Sequence, residues 1–243
     1  MKRAGILGTE IDLIGLDAAV DLALEAMNGR NGRYVVTPNS EFLLEARTRR
    51  ELRAAVSRAY LSLPDSIGVF VAARILGIPL VERIPGIDFA ERLLEKMGET
   101  GKSVFLLGAK QGVAEKAADR LCEEYPGLVI AGTNDGYFTS GEEDMICDRI
   151  NAASPDLLIV CLGSPRQELW MHKNAGRLNV GLMAGLGGTL DVFAGAVNRA
   201  PEKWRRAGLE WLYRLIREPG RILRVIRIPL VILVSLWYRI GGR

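Results

Sequence analysis

Short apolar runs alternate along the chain with loops rich in Gly, Pro, Asn or Asp and with stretches of helical spacing. The runs cover residues 33–36, 59–63, 103–107, 128–131, 157–162 and 180–184. This alternation is typical of βαβ units in a mainly parallel sheet. The runs are almost continuously hydrophobic, which indicates strands covered on both faces. The pattern predicts an α/β fold, with a Rossmann-like, mainly parallel sheet flanked by helices.

The last part of the chain differs from the rest in charge and aromatic content. Residues 201–243 carry ten Lys and Arg against three Glu, a net charge of +7, whereas residues 1–200 carry −4. Three of the four Trp residues lie there, namely Trp204, Trp211 and Trp237. Apolar and Arg positions interleave over residues 204–216 as in an amphipathic helix. We therefore predict two units, an α/β core over 1–200 and a basic helical appendage over 201–243.

Two interpretations of this appendage remain open. A helix edged by Trp and backed by Arg suits the headgroup region of a membrane, where each cation contributes about 1 kcal/mol. The uncharged stretch 228–238 has only 11 residues, whereas a bilayer-spanning helix needs about 20. Alternatively, the appendage packs on the core or on another subunit. We favour membrane contact and expect self-association away from the membrane, where the apolar face needs cover.

Composition and missing motifs exclude several classes of protein. The three Cys residues lack a C-x-x-C pair and predict reduced core thiols in a cytosolic protein. Glu10 and Asp12 interrupt any signal-peptide apolar region. We therefore expect a cytoplasmic protein bound peripherally to the inner face of the cell membrane. Nucleic acid is not an expected partner, because no binding motif accompanies the basic segment. The absence of the dinucleotide glycine pattern disfavours a dehydrogenase.

The sequence predicts neither a metal nor a cofactor. His172 is the only histidine, the chain has no H-E-x-x-H or D-x-D motif, and no cysteine cluster has ligand spacing. His172 ends the stretch Leu169–His172, so we interpret it as a helix-face residue rather than a catalyst.

The loops that follow the predicted strands carry most of the candidate polar residues. In an open α/β sheet such loops gather at the carboxyl edge, where ligands bind. Asp65 follows the second run and has two competing roles, as a cap for the helix that begins at Ile67 or as a general base. Thr37 and Asn39 follow the first run, and we expect Ser40 to cap the next helix, which leaves those two for a ligand.

Further loops add a cation, an amide and small residues. Arg83 suits a diphosphate, because a guanidinium is always charged and binds two oxygens at once, although a surface ion pair is an equal alternative. Gln167 follows the 157–162 run. Gly108 opens a turn that either binds an anion at a helix N-terminus or only permits the turn. The loop from Gly185 with Asp191 allows close approach of a flat ligand, or it only begins a helix.

Seven sequence blocks occur in an order that resembles the WecG/TagA/CpsF family of glycosyltransferases, with its TagA branch closest. The blocks are TPNSEFLLEA, LPDSIGV, ERIPGIDF, FLLGAKQGV, NDGYF, VCLGSPRQELW and GLGGTLDVFAGAVNRAPEKWRRAGLEWLYRLIREPGR. The resemblance covers residues 5–239. It implies an inverting, metal-independent transferase that moves N-acetylmannosamine from UDP to undecaprenyl-diphosphate-GlcNAc in β-1,4 linkage, a step in teichoic acid linkage-unit synthesis.

The resemblance also implies roles for individual residues. Asp65 matches the proposed base, Thr37 and Asn39 the sugar-contacting residues, and Arg83 the diphosphate-binding arginine. The expected catalytic residues are Asp65, Thr37 and Arg83. The expected substrate-binding residues are Asn39, Gln167, Gly108, Tyr137, Gly185 and Asp191. The expected contacts to the lipid diphosphate or membrane are Arg214, Arg221 and Arg224.

Two alternatives accompany this interpretation. A related enzyme would use another UDP-sugar, with N-acetylmannosaminuronic acid or glucose as the transferred group. A protein of a different class would bind a nucleotide at the membrane surface without catalysis.

Overall fold

The computed structural model describes residues 2–241, apart from the side chain of Arg221. The strands are β1 (Arg3–Ile6), β2 (Thr9–Asp12), β3 (Tyr34–Val36), β4 (Leu61–Ser62), β5 (Ser103–Gly108), β6 (Val129–Asn134), β7 (Leu157–Cys161) and β8 (Leu182–Gly185). The core helices are α1 (Leu16–Met27), α2 (Ser40–Ala46), α3 (Arg50–Ser57), α4 (Ile67–Ile75), α5 (Gly86–Glu99), α6 (Val113–Glu124), α7 (Glu143–Ala153), α8 (Arg166–Asn174) and α9 (Thr189–Phe193). The C-terminal segment contains α10 (Glu202–Arg206), α11 (Glu210–Arg217), a 3₁₀ turn (Pro219–Arg221), α12 (Ile222–Val225) and α13 (Arg227–Arg239).

The six apolar runs form one parallel sheet. Its strand order is β4-β3-β8-β7-β5-β6, and every neighbouring pair is parallel. The predicted α/β fold with a flanked parallel sheet is confirmed. Because all six strands point the same way, the loops that follow them meet at one edge.

Helices cover both faces of this sheet, which explains why its strands are apolar throughout. Leu157 and Ile159 of β7 pack with α1, α5, α6 and α9, whereas Leu158 and Val160 pack with α2, α3, α7 and α8. Successive side chains of a strand point to opposite faces, so a strand between two helical layers needs apolar residues at every position.

A β-hairpin at the N-terminus was not predicted. Strands β1 and β2 pair antiparallel around Leu7 and Gly8, which both have positive φ angles, +50° and +83°. A two-residue turn of this kind matches the twist of a hairpin. Asp12 joins the hairpin to the sheet, because its carboxylate accepts a hydrogen bond from the Ser62 N–H at 2.7 Å and pairs with Arg3 at 2.8 Å.

Helix α13 packs on the core through one face. Val231 is fully buried in a cluster that includes Leu43 of α2 and Val69 of α4. Arg227 adds ion pairs to Glu41 and Glu45 of α2, at 3.6 and 3.3 Å. Core packing, one of the two interpretations of the appendage, therefore holds for this face.

The surface of α12 and α13 that faces away from the core is exposed and largely apolar. Its exposed apolar side chains include Ile222, Leu223, Ile226, Leu230, Leu233, Leu236, Trp237 and Ile240. Across residues 2–241, no helix has both the length and the apolarity to span a membrane. The division into units 1–200 and 201–243 stays a prediction, and residues 242–243 lie outside the described part of the chain.

The cysteine prediction is correct for two residues and wrong for the third. Cys147 and Cys161 are buried free thiols, whereas Cys122 is exposed on α6. The neighbouring Leu121 takes the buried position of that helical turn, so Cys122 falls on the solvent side.

Candidate active site

A cleft of about 600 Å³ opens at the carboxyl edge of the sheet. Loops after the parallel strands form its walls, and residues of α11 and α12 border it from the C-terminal segment. The predicted site residues that line it are Thr37, Asn39, Asp65, Arg83, Tyr137, Gln167, Asp191, Arg214 and Arg224. The structure thus brings most of the candidates together, while their roles stay predictions.

Asp65 stands between the end of β4 and the start of α5. Its Oδ1 accepts a hydrogen bond at 2.8 Å from the backbone N–H of Gly86, which is the first residue of α5. Capping of α4, one of the two alternatives for Asp65, is therefore wrong, because the Ser66 hydroxyl caps that helix by accepting from the Val69 N–H at 3.4 Å. Among the described residues, no hydrogen bond reaches Oδ2 of Asp65, which leaves that oxygen for other chemistry.

The surroundings of Asp65 raise the pKa of its carboxyl. Burial raises the pKa of this carboxyl above its usual value, and the charge of Glu210 raises it further. The Gly86 hydrogen bond and the charges of Arg83 and Arg214 act in the opposite direction. The net effect is a raised pKa, which makes the ionised carboxylate a stronger proton acceptor than an exposed aspartate.

Arg83 faces a counter-charge that comes from the C-terminal segment. Its Nη1 lies 4.0 Å from Oε2 of Glu210, and the other carboxylate oxygen of Glu210 is 2.9 Å from Nη2 of Arg214. The Nε of Arg214 is buried and has no partner among the described residues. Two guanidinium groups therefore flank one carboxylate at the cleft, an arrangement that also suits a diphosphate.

Asn39, and not Ser40, caps α2. The Asn39 side-chain oxygen accepts a hydrogen bond from the Phe42 N–H at 3.0 Å. The backbone N–H of Ser40 instead donates a hydrogen bond to the hydroxyl oxygen of Ser66 at 3.1 Å. The expectation that Ser40 would spare Asn39 is wrong, because α2 begins at Ser40, one residue earlier than a Ser40 cap requires. Asn39 retains its side-chain amide nitrogen as a donor.

Thr37 holds the loop that follows β8. Its hydroxyl donates a hydrogen bond to the backbone carbonyl of Gly185 at 2.8 Å. Gly185 itself lies behind the cleft wall, whereas Leu186 and Gly187 line the cleft. The structure thus gives Thr37 a positioning contact at this site.

Gln167 is held by two hydrogen bonds in the first turn of α8. Its Oε1 accepts from the Gly187 N–H at 3.0 Å, and its Nε2 donates to Oε1 of Glu168 at 3.0 Å. Both side chains are almost fully buried. Gln167 therefore supports the loop after β8 from the side opposite Thr37.

Gly108 belongs to the scaffold behind the cleft. It has a φ of +136°, and a Cβ there would collide with the Cys161 carbonyl of β7. The next residues of this turn, Ala109 and Lys110, are the ones that line the cleft. Tyr137 lies next to this turn, because the Gly136 N–H donates to the Ala109 carbonyl at 2.9 Å, and Tyr137 is 74% exposed.

The remaining candidates lie at the border with the C-terminal segment. Asp191 lines the cleft near the start of α9. Arg224 lines it from α12 and its Nε is 3.6 Å from Glu41. The predicted contact of Arg221 concerns a side chain outside the described part of the structure.

Several cleft residues were not singled out from the sequence. Glu210 and Trp211 of α11 line the cleft, as does Arg166, which donates hydrogen bonds to the carbonyls of Gly136 and Phe138 at 3.0 and 3.4 Å. The only available signal was that each lies inside a block shared with the family. Nothing in composition or spacing indicates which side of a short helix faces a cleft.

Other features lie away from the cleft. His172 lies on α8, and its Nδ1 is 3.0 Å from the Tyr34 hydroxyl oxygen, which fits its interpretation as a helix-face residue.

Within residues 2–241, no three His, Cys, Asp or Glu side chains converge as metal ligands.

The fold and the cleft together define a class of protein. The sheet is of the doubly wound α/β type, and a carboxylate and two arginines meet at its carboxyl edge, where such proteins bind phosphorylated ligands. A model of the glycosyl transferase WecG/TagA/CpsF family matches residues 4–243. The chain belongs to this family.

Two relatives in Bacillus carry the same name, N-acetylglucosaminyldiphosphoundecaprenol N-acetyl-beta-D-mannosaminyltransferase. The protein from Bacillus spizizenii is 39% identical over 203 residues, which are 84% of this chain and 78% of that protein. The protein from Bacillus subtilis is 37% identical over 198 residues, which are 82% and 77% of the two chains.

Proposed function

We propose that this glycosyltransferase moves N-acetylmannosamine from UDP-N-acetylmannosamine to undecaprenyl-diphosphate-linked GlcNAc, in β-1,4 linkage, as a step of teichoic acid linkage-unit synthesis. The names of both Bacillus relatives support the acceptor and the sugar. The observation that carries the proposal is the shared cleft, in which Asp65 lies beside Arg83 and Arg214. This site has a base and two groups for a diphosphate, as sugar transfer from a nucleotide requires.

In the proposed mechanism, Asp65 removes the proton of the acceptor hydroxyl. The hydroxyl oxygen attacks the anomeric carbon from the side opposite UDP, and the bond between that carbon and the diphosphate oxygen breaks. The bonding electrons leave with UDP, and the proton remains on Asp65. Arg83 and Arg214 stabilise the charge that develops on the departing diphosphate. For this, the diphosphate takes the place that Glu210 has between the two guanidinium groups.

The C-terminal segment suits an acceptor whose lipid remains in a bilayer. Its exposed apolar residues, such as Leu233 and Trp237, lie on the same segment as Arg214 and Arg224, which border the cleft. We propose that this segment binds the cytoplasmic membrane surface peripherally and brings the cleft to the acceptor. Away from the membrane, the same apolar face supports self-association.

A donor screen against a short-chain lipid-diphosphate-GlcNAc acceptor tests the reaction and the sugar together. We expect UDP release with UDP-N-acetylmannosamine. Release with only the uronic acid or glucose donor would replace the proposed sugar. Binding of UDP-sugars without any UDP release would favour the non-catalytic nucleotide-binding alternative.

The Asp65→Asn variant tests the base. An asparagine keeps an oxygen for the Gly86 N–H but cannot accept the proton, so we expect turnover to fall by roughly 10²- to 10⁴-fold with little change in the melting temperature. Single-turnover rates and thermal melts of both proteins measure this. An unchanged rate would restrict Asp65 to its capping role at α5.

A further inference from the structure

Two adjacent buried polar side chains lie in the first turn of α8, and of these Gln167 lines the cleft whereas Glu168 lies behind it. Gln167 and Glu168 are 2% and 1% exposed and lie in the first turn of α8. The Gln167 amide nitrogen donates to Glu168 Oε1, and its oxygen accepts from the Gly187 N–H, both at 3.0 Å. Glu168 therefore determines which end of the Gln167 amide faces Gly187.

The loop of residues 185–188 depends on this orientation. Thr37 holds the loop at the Gly185 carbonyl, and Gln167 holds it two residues later at the Gly187 N–H. Gly187 has a φ of +58°, and residues 186–188 line the cleft. A Cβ on Gly185 would lie 2.6 Å from Cε of Met171, so α8 lies directly against the loop. A change in the Gln167 amide would thus be transmitted to the cleft wall.

A buried glutamate such as Glu168 lowers the stability of the fold, so its presence here calls for a role such as holding the Gln167 amide. Burial raises the pKa of its carboxyl to about 7, and an unpaired buried charge is strongly unfavourable. The nearby Ser164 hydroxyl partly opposes this rise in pKa, but among the described residues neither that hydroxyl nor Oε2 of Glu168 has a hydrogen bond of normal geometry. The neighbouring Glu45 of α2 opposes ionisation further. An apolar side chain would avoid these costs but would leave the Gln167 amide nitrogen without its acceptor.

We propose that Glu168 is a positioning residue that holds Gln167 in the amide orientation that accepts from Gly187, and thereby fixes the loop against which the sugar-nucleotide donor binds. The identity of that ligand rests on the proposed function, whereas the contacts that link Glu168 through Gln167 to Gly187 are independent of it.

The test compares Glu168→Leu with Glu168→Gln, each alone and combined with Gln167→Ala. Glu168→Leu removes the acceptor, so we expect the KM for UDP-N-acetylmannosamine to rise at least tenfold while kcat stays within about threefold. Glu168→Gln supplies a carbonyl at the same place, and its KM should stay within about threefold of wild type. In the Gln167→Ala background, Glu168→Leu should have no further effect, because coupled residues are non-additive.

Amide hydrogen exchange of residues 185–189 without substrate provides a readout independent of turnover. We expect faster exchange at Gly187 in Glu168→Leu and in Gln167→Ala, and wild-type protection in Glu168→Gln. If wild type transfers no sugar but the variants show this exchange pattern, the proposed function fails and the positioning role stands.

Three results would overturn the positioning role. The first is an unchanged KM and unchanged Gly187 exchange in Glu168→Leu. The second is an equal rise in KM on Glu168→Leu with and without the Gln167 side chain. The third is a rise in KM in Glu168→Gln as large as that in Glu168→Leu. Should Glu168→Leu not fold, the remaining variants still decide. Wild-type protection of the Gly187 amide in Gln167→Ala would contradict the role. Loss of that protection in Gln167→Ala, together with wild-type protection in Glu168→Gln, would support it.

Discussion

The buried carboxyl of Glu168 predicts a specific dependence of stability on pH. Burial raises its pKa to about 7 from an ordinary value of 4.5, although hydrogen bonding from Gln167 partly opposes this shift. The folded protein therefore holds a proton that the unfolded chain releases between these two pH values. Stability from this group is fully present below pH 4.5 and is lost as the pH rises through 7. Replacing Glu168 by Gln removes the titrating group but retains the shape of the protonated side chain.

The size of the effect follows from the two pKa values. Each unit of difference corresponds to about 1.4 kcal/mol, and most of the interval lies between pH 5 and pH 8. We therefore expect wild type to lose roughly 2 to 3 kcal/mol more than Glu168→Gln across that range. All other ionisable groups, including Glu45 and its partners Arg49 and Arg227, are common to both proteins and cancel in the difference.

Denaturant unfolding of both full-length proteins at pH 5 and pH 8 measures this difference. Glu142→Gln is a matched control of opposite sign, because hydrogen bonds from Thr139 lower the pKa of the exposed Glu142. Its contribution to stability is present above pH 4.5 and fades only below it, so Glu142→Gln should weaken the protein about equally at pH 5 and pH 8. Parallel pH curves for wild type and Glu168→Gln would refute the reasoning, since they would mean that Glu168 ionises as it does in the unfolded chain.

Three further predictions concern the loop, the scaffold and the membrane face. Thr37→Val leaves the Gly185 carbonyl without its donor and should destabilise the protein by roughly 1 to 3 kcal/mol in denaturant unfolding. Gly108→Ala places a methyl group against the Cys161 carbonyl at a φ of +136° and should cost about 3 kcal/mol, measured in the same way. Leu233→Glu, on the exposed face of α13, should weaken sedimentation with anionic vesicles about tenfold or more while the melting temperature stays unchanged.

The parallel sheet could be predicted because its determinants are local. Each strand is an apolar run bounded by turn residues, and each run became a strand. The hairpin of β1 and β2 could not be found in this way. Its turn at Leu7 and Gly8 uses a non-glycine residue with positive φ, and its apolar side chains pack against α4 and α13, elements far away in sequence.

The C-terminal segment shows the same limit for helices. Its sequence predicts an amphipathic segment, but the buried face of α13 is centred on Val231 and Ser235, while equally apolar neighbours such as Leu230 and Leu233 remain exposed. Hydrophobicity alone does not distinguish the two faces. The ion pairs from Arg227 to Glu41 and Glu45 distinguish the buried face from the exposed face, because they orient α13 on α2.

The loop residues were predictable as a group, but their partners were not. Asn39 and Ser40 both have cap-forming side chains, and the choice between them depends on where the backbone first turns. Gln167 was singled out by its place in the loop after a predicted strand and then by resemblance, whereas its partner Glu168 was not, because a Glu in a polar helix normally faces solvent. Only the close approach of α8 to the loop after β8 shows that both side chains are buried.

Asp65 illustrates how two roles that compete in sequence terms become compatible in three dimensions. As a cap of α4, which begins at Ile67, Asp65 would use its carboxylate on the helix that follows it in the chain. In the structure Ser66 caps that helix, and Asp65 reaches across to Gly86, twenty-one residues later. One oxygen bound to the rigid start of α5 orients the carboxylate, while the other accepts no hydrogen bond from the described residues. A base must be both oriented and unoccupied, and the capping contact provides the first condition without removing the second.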